Sequence, residues 1–257
     1  FHIWLPEAHV EAPTVGSVLL AGVLLKLGVY GIFRILIPVF PEELVIISPF
    51  VYLVATISII YCSFAIMRQI DLKKIIAYSS VIHMNFALVG LFSLTLSGVL
   101  GGFYLMINHG IVSSALFFCV GSLYDRYHTR LVTYYGGLNL LMPIFSLFFI
   151  IFTLANFGFP GTSSFIGEFL VIFGAFDVSS LLAYLTNISM LSSTCYMLWL
   201  MNRVLFGPVK LNKTFISFDL TYKEVFMFLP FIFFVFFFGI YPNIFIEKYE
   251  FFIYNLI

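Results

Sequence analysis

Charge is scarce in this sequence. Only 9% of the 257 residues are Asp, Glu, Lys or Arg, and twelve basic residues balance twelve acidic ones. A soluble domain carries nearer to about 25% charged residues, so the scarcity excludes an ordinary soluble fold. The balance excludes a basic nucleic-acid-binding face as a main feature, and no nucleic-acid partner is expected. Cysteine is scarce too. Cys62, Cys119 and Cys195 stand singly, each inside an apolar stretch. They offer no ligand set for iron–sulfur or zinc chemistry and read as small packing residues. No Gly-rich nucleotide loop is present, and nothing resembles a cleavable signal peptide. No methionine opens the chain: Phe1 stands in mid-pattern, as in a fragment, a split gene product or a chain with an unusual start.

Apolar residues fill the space that charge leaves. They make up 62% of the chain, with mean hydropathy +1.10, which defines a membrane protein. The length accommodates about seven spans of roughly 20 residues each. Phe alone occurs 34 times, a bias that fits an AT-rich genome, as in many mitochondria. The spans are expected at about 14–37, 48–67, 72–92, 98–123, 138–176, 179–205 and 223–240, with residues 1–12 ending an earlier helix. Pro6 and Pro13 argue against a continuous helix in that first segment. The 138–176 stretch is too long for one plain helix and contains Asn156-Phe157-Gly158-Phe159-Pro160-Gly161-Thr162. It is expected to be discontinuous, about 138–156 and 163–176, because Gly and Pro free backbone groups there. The fold class is therefore all-α and polytopic, with one discontinuous helix.

Loop charges orient the spans. One side carries Arg68, Lys73, Lys74, Arg126, Arg130, Arg203, Lys210, Lys213 and Lys223, and the other only Arg34 and Lys248. By the positive-inside bias, the nine-residue side faces the matrix or cytoplasm and the C-terminus faces away from it. The tail 241–257 mixes charges with aromatics, which suits a segment lying at the interface.

One basic residue remains. Lys26 lies 12 residues after Thr14 and 11 before Ile37, so either end is roughly 16–18 Å away at the helical rise. A lysine stem does not reach that far, and a cation at bilayer centre costs on the order of 2.5–3.5 kcal/mol. Such a residue is a functional candidate; the plainer alternative is a lysine paired with a neighbouring helix. Of twelve acidic residues, Glu168 alone lies well inside a span, just past the break. An ionisable group beside a broken helix points to an ion pathway; the plainer alternative is a protonated, hydrogen-bonded packing residue. His83 and His109 stand midway along the third and fourth spans, and histidine's ordinary pKa of about 6.5 suits reversible protonation. No HxxxH or ExxH spacing joins them, so a metal site is not expected. His2 and His9 flank Trp4-Leu5-Pro6-Glu7-Ala8. Glu7 and Glu11 read as aqueous-boundary residues, and Tyr124-Asp125-Arg126-Tyr127-His128-Thr129-Arg130 reads as a surface anchor.

Several motifs carry a resemblance. Phe1-His2-Ile3-Trp4-Leu5-Pro6-Glu7-Ala8-His9-Val10-Glu11-Ala12-Pro13 is followed by Leu24-Leu25-Lys26-Leu27-Gly28, Arg68-Gln69-Ile70-Asp71-Leu72-Lys73, Ile76-Ala77-Tyr78-Ser79-Ser80, Asn108-His109-Gly110 and Gly167-Glu168. Together they resemble the antiporter-like membrane subunits of NADH:ubiquinone oxidoreductase, respiratory complex I. Mrp-type antiporter subunits share shorter versions. The resemblance covers most of the chain and weakens after about Phe206.

That resemblance implies the second repeat of a two-repeat, fourteen-helix bundle. Residues 1–37 would hold the end of the first broken helix and the central Lys helix. Residues 38–206 would hold the second repeat, and 207–257 the last transmembrane helix and interfacial tail. It implies a proton relay through Lys26, His83, His109 and Glu168, with His2 and His9 near the first broken helix. The family's essential Glu and Lys of the first repeat have no counterpart here, which implies a missing or separate N-terminal half of the same subunit. Other expected partners are membrane-arm subunits, including neighbouring antiporter-like ones, and lipids. NADH, FMN, iron–sulfur clusters and ubiquinone are expected elsewhere in such a complex, so the chain itself is expected to hold no cofactor. The implied location is the mitochondrial inner membrane, with the C-terminus on the intermembrane-space side. The alternatives are a subunit of a Mrp-type cation/proton antiporter and a non-conducting structural subunit.

Overall fold

The structure, a computed structural model, describes residues 3–210 and 218–254, save the Phe252 side chain. His2 and Lys213 lie outside the described residues. Helices dominate in this order: α1 (Trp4–Glu11), α2 (Thr14–Val39), α3 (Pro41–Arg68), α4 (Leu72–Phe92), α5 (Leu96–Tyr127), the short α6 (Leu138–Leu141), α7 (Pro143–Asn156), α8 (Ser163–Val178), α9 (Ser180–Leu205), α10 (Tyr222–Ile240) and α11 (Asn243–Tyr254). Among the described residues, α2, α3, α4, α5, α9 and α10 are each long and apolar enough to cross a membrane. Where a seventh span is expected, the chain forms two shorter helices, α7 and α8, of 14 and 16 residues. The break falls at 157–162, as the Gly and Pro content predicts.

Three local expectations need correction. Pro6 does not interrupt α1, because it occupies the first turn, where no intrahelical N–H bond is required. Pro13 does end it, in extended geometry, and α2 begins at the next residue. Helix α3 starts at Pro41 rather than near 48, and runs through Pro49. The first half of the broken helix starts at Pro143, not 138. There the Asp219 carboxylate accepts from Ile144 N at 2.7 Å and Phe145 N at 3.1 Å, capping the helix start from far along the chain.

Helices α4 and α5 form the buried centre, packed against each other and flanked by α3, α8 and α2. The outer helices are apolar on their exposed faces as well, as at Ile46, Phe50, Phe64 and Phe226. A helix apolar all round belongs in a hydrocarbon or fully protein-covered setting. Inside the bundle, α7 buries Phe145, Phe148, Phe149 and Phe152, the i, i+3, i+4, i+7 stripe of one helix face. Phe148 stacks on Phe228 of α10 at 5.1 Å, and Phe152 lies tilted against the same ring at 5.9 Å. In lipid, such contacts stabilise by close packing rather than by removing apolar surface from water.

Helices α5 and α8 approach closely because Gly167 presents no side chain to Leu105: a Cβ there would lie 3.0 Å from the Leu105 backbone. At one end of the bundle the 69–72 and 130–132 segments are tied by Leu72 N to Arg130 O and Val132 N to Ile70 O, both 2.9 Å. At the other end α11 packs on α5, with Phe245 and Tyr249 against Phe103.

Candidate functional site

Four of the residues singled out from sequence meet in one buried line across the centre. Lys26 projects from α2, where the backbone passes through a π-helical stretch, Leu20–Leu24, just before it. Such one-turn π segments shift side-chain direction and often mark functional positions. Lys26 is 8% exposed. Its ammonium donates to the Ala21 carbonyl in the preceding turn and lies 3.0 Å from His109 Nδ1. Gly110, the next residue on α5, permits that approach: a Cβ there would sit 3.1 Å from Gly22 O and 3.4 Å from Lys26 Cε.

The line continues through the two imidazoles. The His83 and His109 rings face each other at 5.2 Å between centroids, tilted by 37°. His83 Nδ1 then lies 3.4 Å from Glu168 Oε1. Lys26, His109, His83 and Glu168 are all buried, and they come from four different helices. Neighbouring side chains thus follow one another along this sequence of groups.

The break in the α7–α8 pair shapes the Glu168 end. Gly158 adopts φ +71, a left-handed conformation that favours glycine. A side chain there would run into the Glu168 carboxylate, with a Cβ in overlap with Oε2 and 3.1 Å from Cδ. The glycine thus makes the chain turn and leaves the space that the carboxyl group fills.

Around this line, several buried polar atoms have no hydrogen-bond partner among the described residues: His83 Nε2, His109 Nε2, Glu168 Oε2, Asn108 Oδ1, Asn156 Nδ2, Ser163 Oγ and Tyr196 Oη. Leaving such a group unsatisfied costs about 1–3 kcal/mol each, so a cluster of them is a polar site of the kind that ordered water fills. Sequence reasoning missed Tyr196, Asn108 and Asn156. Their signal was a polar residue in an apolar span, too weak without the neighbours that the fold brings to it.

His9 is buried on α1, stacked on Phe117 at 4.7 Å, with neither ring nitrogen hydrogen-bonded among the described residues. Lys73, read from sequence as a loop charge, is instead 4% exposed and donates to Ala12 O at 2.7 Å. Arg126, read as a surface anchor, makes a bidentate pair with Glu224 at 2.8 and 2.6 Å. The outer side of α2 bears a groove of about 490 Å³ that includes Lys26, Val23, Leu27 and Tyr30. Of the three cysteines, Cys62 and Cys119 are buried, as packing residues would be, while Cys195 is exposed.

A helical bundle with a broken helix and a buried Lys–His–His–Glu line defines an antiporter-like membrane protein. The chain belongs to the NADH:quinone oxidoreductase/Mrp antiporter transmembrane family, whose description matches residues 1–193. It is 59% identical over 246 residues to NADH-ubiquinone oxidoreductase chain 4 of Marchantia polymorpha, covering 96% of this chain and 50% of that one. It is 46% identical over 244 residues to NADH-quinone oxidoreductase subunit M of Rhodobacter capsulatus, covering 95% and 48%. Among solved structures it matches respiratory complex I from Thermus thermophilus with bound NADH, at TM-score 0.91 and 31% identity over 99% of this chain and 54% of that chain. It also matches the Mrp complex from Dietzia sp. DQ12-45-1b at TM-score 0.89, with 17% identity over 98% and 55%, a likeness of fold alone. The chain spans about half the length of the curated relatives it matches.

Proposed function

We propose that this chain is the C-terminal half of a proton-translocating membrane-arm subunit of NADH:ubiquinone oxidoreductase. It would sit in the mitochondrial inner membrane with its C-terminus toward the intermembrane space. The observation that carries this reading is the contiguous run Lys26–His109–His83–Glu168 through a buried centre. The identity to chain 4 and subunit M sequences favours complex I over a stand-alone antiporter. The chain spans about half the length of these relatives, so the remainder of the subunit, on this or another polypeptide, would complete the bundle. The apolar outer groove on α2, open beside Lys26, suits packing against that remainder. Other membrane-arm subunits and lipids cover the remaining apolar faces. NADH oxidation, flavin and cluster chemistry belong to other subunits, so this chain moves protons and breaks no covalent bond between heavy atoms.

The geometry supports one order of proton positions. When Lys26 donates to His109 Nδ1, the imidazole holds its own proton on Nε2. Transfer from Lys26 makes His109 an imidazolium, which releases the Nε2 proton toward His83 and the unpaired polar atoms around it. His83 faces Glu168 through Nδ1, so the proton leaves on the opposite ring nitrogen from the one that received it. Two like charges about 7 Å apart interact by roughly 2 kcal/mol at an effective dielectric near 20, enough to change a proton equilibrium more than tenfold. A charge change at one end of the line thus drives release at the other without large helix motion. The test is Lys26→Met and Glu168→Gln in the assembled complex. Each is expected to suppress NADH-driven pumping in sealed vesicles, and normal proton-to-electron stoichiometry in both would reject the relay.

A further inference from the structure

The helices that carry the buried line meet along seams of small residues. Between α4 and α5, a Cβ on Gly90 would lie 2.7 Å from Gly98 O, and one on Gly102 would lie 2.7 Å from Ala87 O. The same antiparallel register brings His83 to His109. Between α5 and α8 the successive contacts are Gly98 with Gly174, Gly101 with Val171, Leu105 with Gly167, and Asn108 with Ser163. The first three are close approaches of backbone; a Cβ on Gly101 would lie 2.7 Å from Val171 N. The fourth is a hydrogen bond, in which Asn108 Nδ2 donates to Ser163 O at 3.0 Å. Among the described residues no other hydrogen bond joins α5 to α8.

Small residues let helix backbones approach closely in a membrane. Having little side chain to interlock, they do little to fix how far one helix slides along the other. The Asn108 bond sits where sliding matters. Asn108 precedes His109 on α5, and Ser163 opens α8 five residues before Glu168. A slide of α8 by one residue is about 1.5 Å, and it would carry Glu168 Oε1 off its 3.4 Å contact with His83 Nδ1. Added stability is the simplest use for a buried amide, and Asn108 serves it poorly. The residue is 1% exposed, and its Oδ1 has no hydrogen-bond partner among the described residues. A bare buried acceptor costs at least as much as one hydrogen bond returns. Fixing one register at little or no gain in stability is a known use of a buried asparagine between helices.

We infer that Asn108 is a positioning residue of the relay: its hydrogen bond to the Ser163 carbonyl sets the register of α8 against α5 and so holds the Glu168 carboxyl at His83. Its effect on pumping rests on the relay reading above; its effect on geometry does not. The residue itself carries no proton. It acts through the start of α8, which is tied on its other side to α7 by Ser164 Oγ donating to Ala155 O.

The experiment places Asn108→Leu in the assembled complex. Leucine keeps the branched shape and removes the donor. Its structure by electron cryomicroscopy is expected to show the His83–Glu168 contact lengthened by about 1.5 Å, one residue of slide. Pumping in sealed vesicles driven by NADH is expected to fall about threefold to tenfold, the size of one interhelical hydrogen bond in a membrane, while NADH oxidation in uncoupled membranes is kept. Asn108→Asp supplies the rescue. Its protonated carboxyl donates from the same place, and the ionised form only accepts. Relative to the parental complex at each pH, it is expected to pump normally in acid and to lose pumping as the pH rises. Asn85→Leu is the control, because Asn85 donates to Val81 O of its own helix at 2.8 Å; it is expected to pump normally. An unchanged His83–Glu168 contact in Asn108→Leu overturns the inference. So does equal loss in the Leu and Asp variants at every pH, which would assign Asn108 a packing role, and so does failure of both to assemble. Lys26→Met measured alongside separates the two levels. If it stops pumping while Asn108→Leu pumps normally, the positioning role fails and the relay stands. If Lys26→Met itself pumps normally, the relay fails, and the His83–Glu168 distance in Asn108→Leu alone decides whether Asn108 sets the register.

Discussion

Replacing Gly158 with alanine tests whether the helix break exists to seat the Glu168 carboxylate. Two costs are separable. The residue has φ +71, and holding an L side chain in the left-handed region costs about 1–2 kcal/mol. The added Cβ would also overlap Glu168 Oε2 and sit 3.1 Å from its Cδ, an overpacking cost of about 1–3 kcal/mol. The carboxylate relieves the overlap by moving, and its contact with His83 Nδ1 is already 3.4 Å. In the state where His83 carries the proton and Glu168 is ionised, an effective dielectric near 20 gives an attraction of about 5 kcal/mol at that separation, and lengthening it by about 1.5 Å removes 1–2 kcal/mol of that. The loss corresponds to roughly tenfold in proton sharing between the two groups. Gly161→Ala supplies the control, because Gly161 has φ +94 with nothing within 4 Å of an added Cβ. Both variants pay the backbone cost; only Gly158→Ala touches the carboxylate. Pumping stoichiometry in sealed vesicles, with electron transfer measured in uncoupled membranes and melting of the purified complex, reads the two effects apart. Both variants are expected to melt earlier, and Gly158→Ala alone is expected to lose pumping. Equal pumping in the two variants would refute the seating argument and leave the glycine a turn residue only.

Gly110→Val is expected to push α5 from α2 and lengthen the 3.0 Å contact between Lys26 and His109; pumping falls by on the order of tenfold, while Gly28→Val, with open space around its Cβ, pumps normally. For the Arg126–Glu224 pair, a double-mutant cycle with Arg126→Met and Glu224→Gln, read as thermal stability of the complex, is expected to give a coupling of about 1 kcal/mol. The partial exposure of both side chains, 16% and 26%, screens the pair and keeps the value small. A coupling of zero would make it a surface contact without structural consequence.

The buried line of Lys26, His109, His83 and Glu168 was legible in the sequence because its signal is one-dimensional. An ion in the middle of an apolar helix is costly wherever the helix packs, so Lys26 and Glu168 stood out before any partner was known, and His83 and His109 followed as the titratable groups at the same depth. The break was legible for a similar reason: Gly158, Pro160 and Gly161 interrupt a helix by local chemistry alone. Lys73 was hidden by the same logic. At a span end a lysine reads as an ordinary loop charge, and its burial depends on the α1–α2 junction placing Ala12 and Ser17 over it. Arg126 and Glu224 are 98 residues apart, and neither position is unusual alone. The Asp219 carboxylate that starts α7 reaches across a comparable distance, so the helix boundary at Pro143 was set by a residue far along the chain. Groups whose cost is intrinsic can be read from the string, whereas groups whose role comes from a partner need the fold. Lys73 is of the second kind: its burial follows from Ala12 and Ser17 meeting over the start of α4.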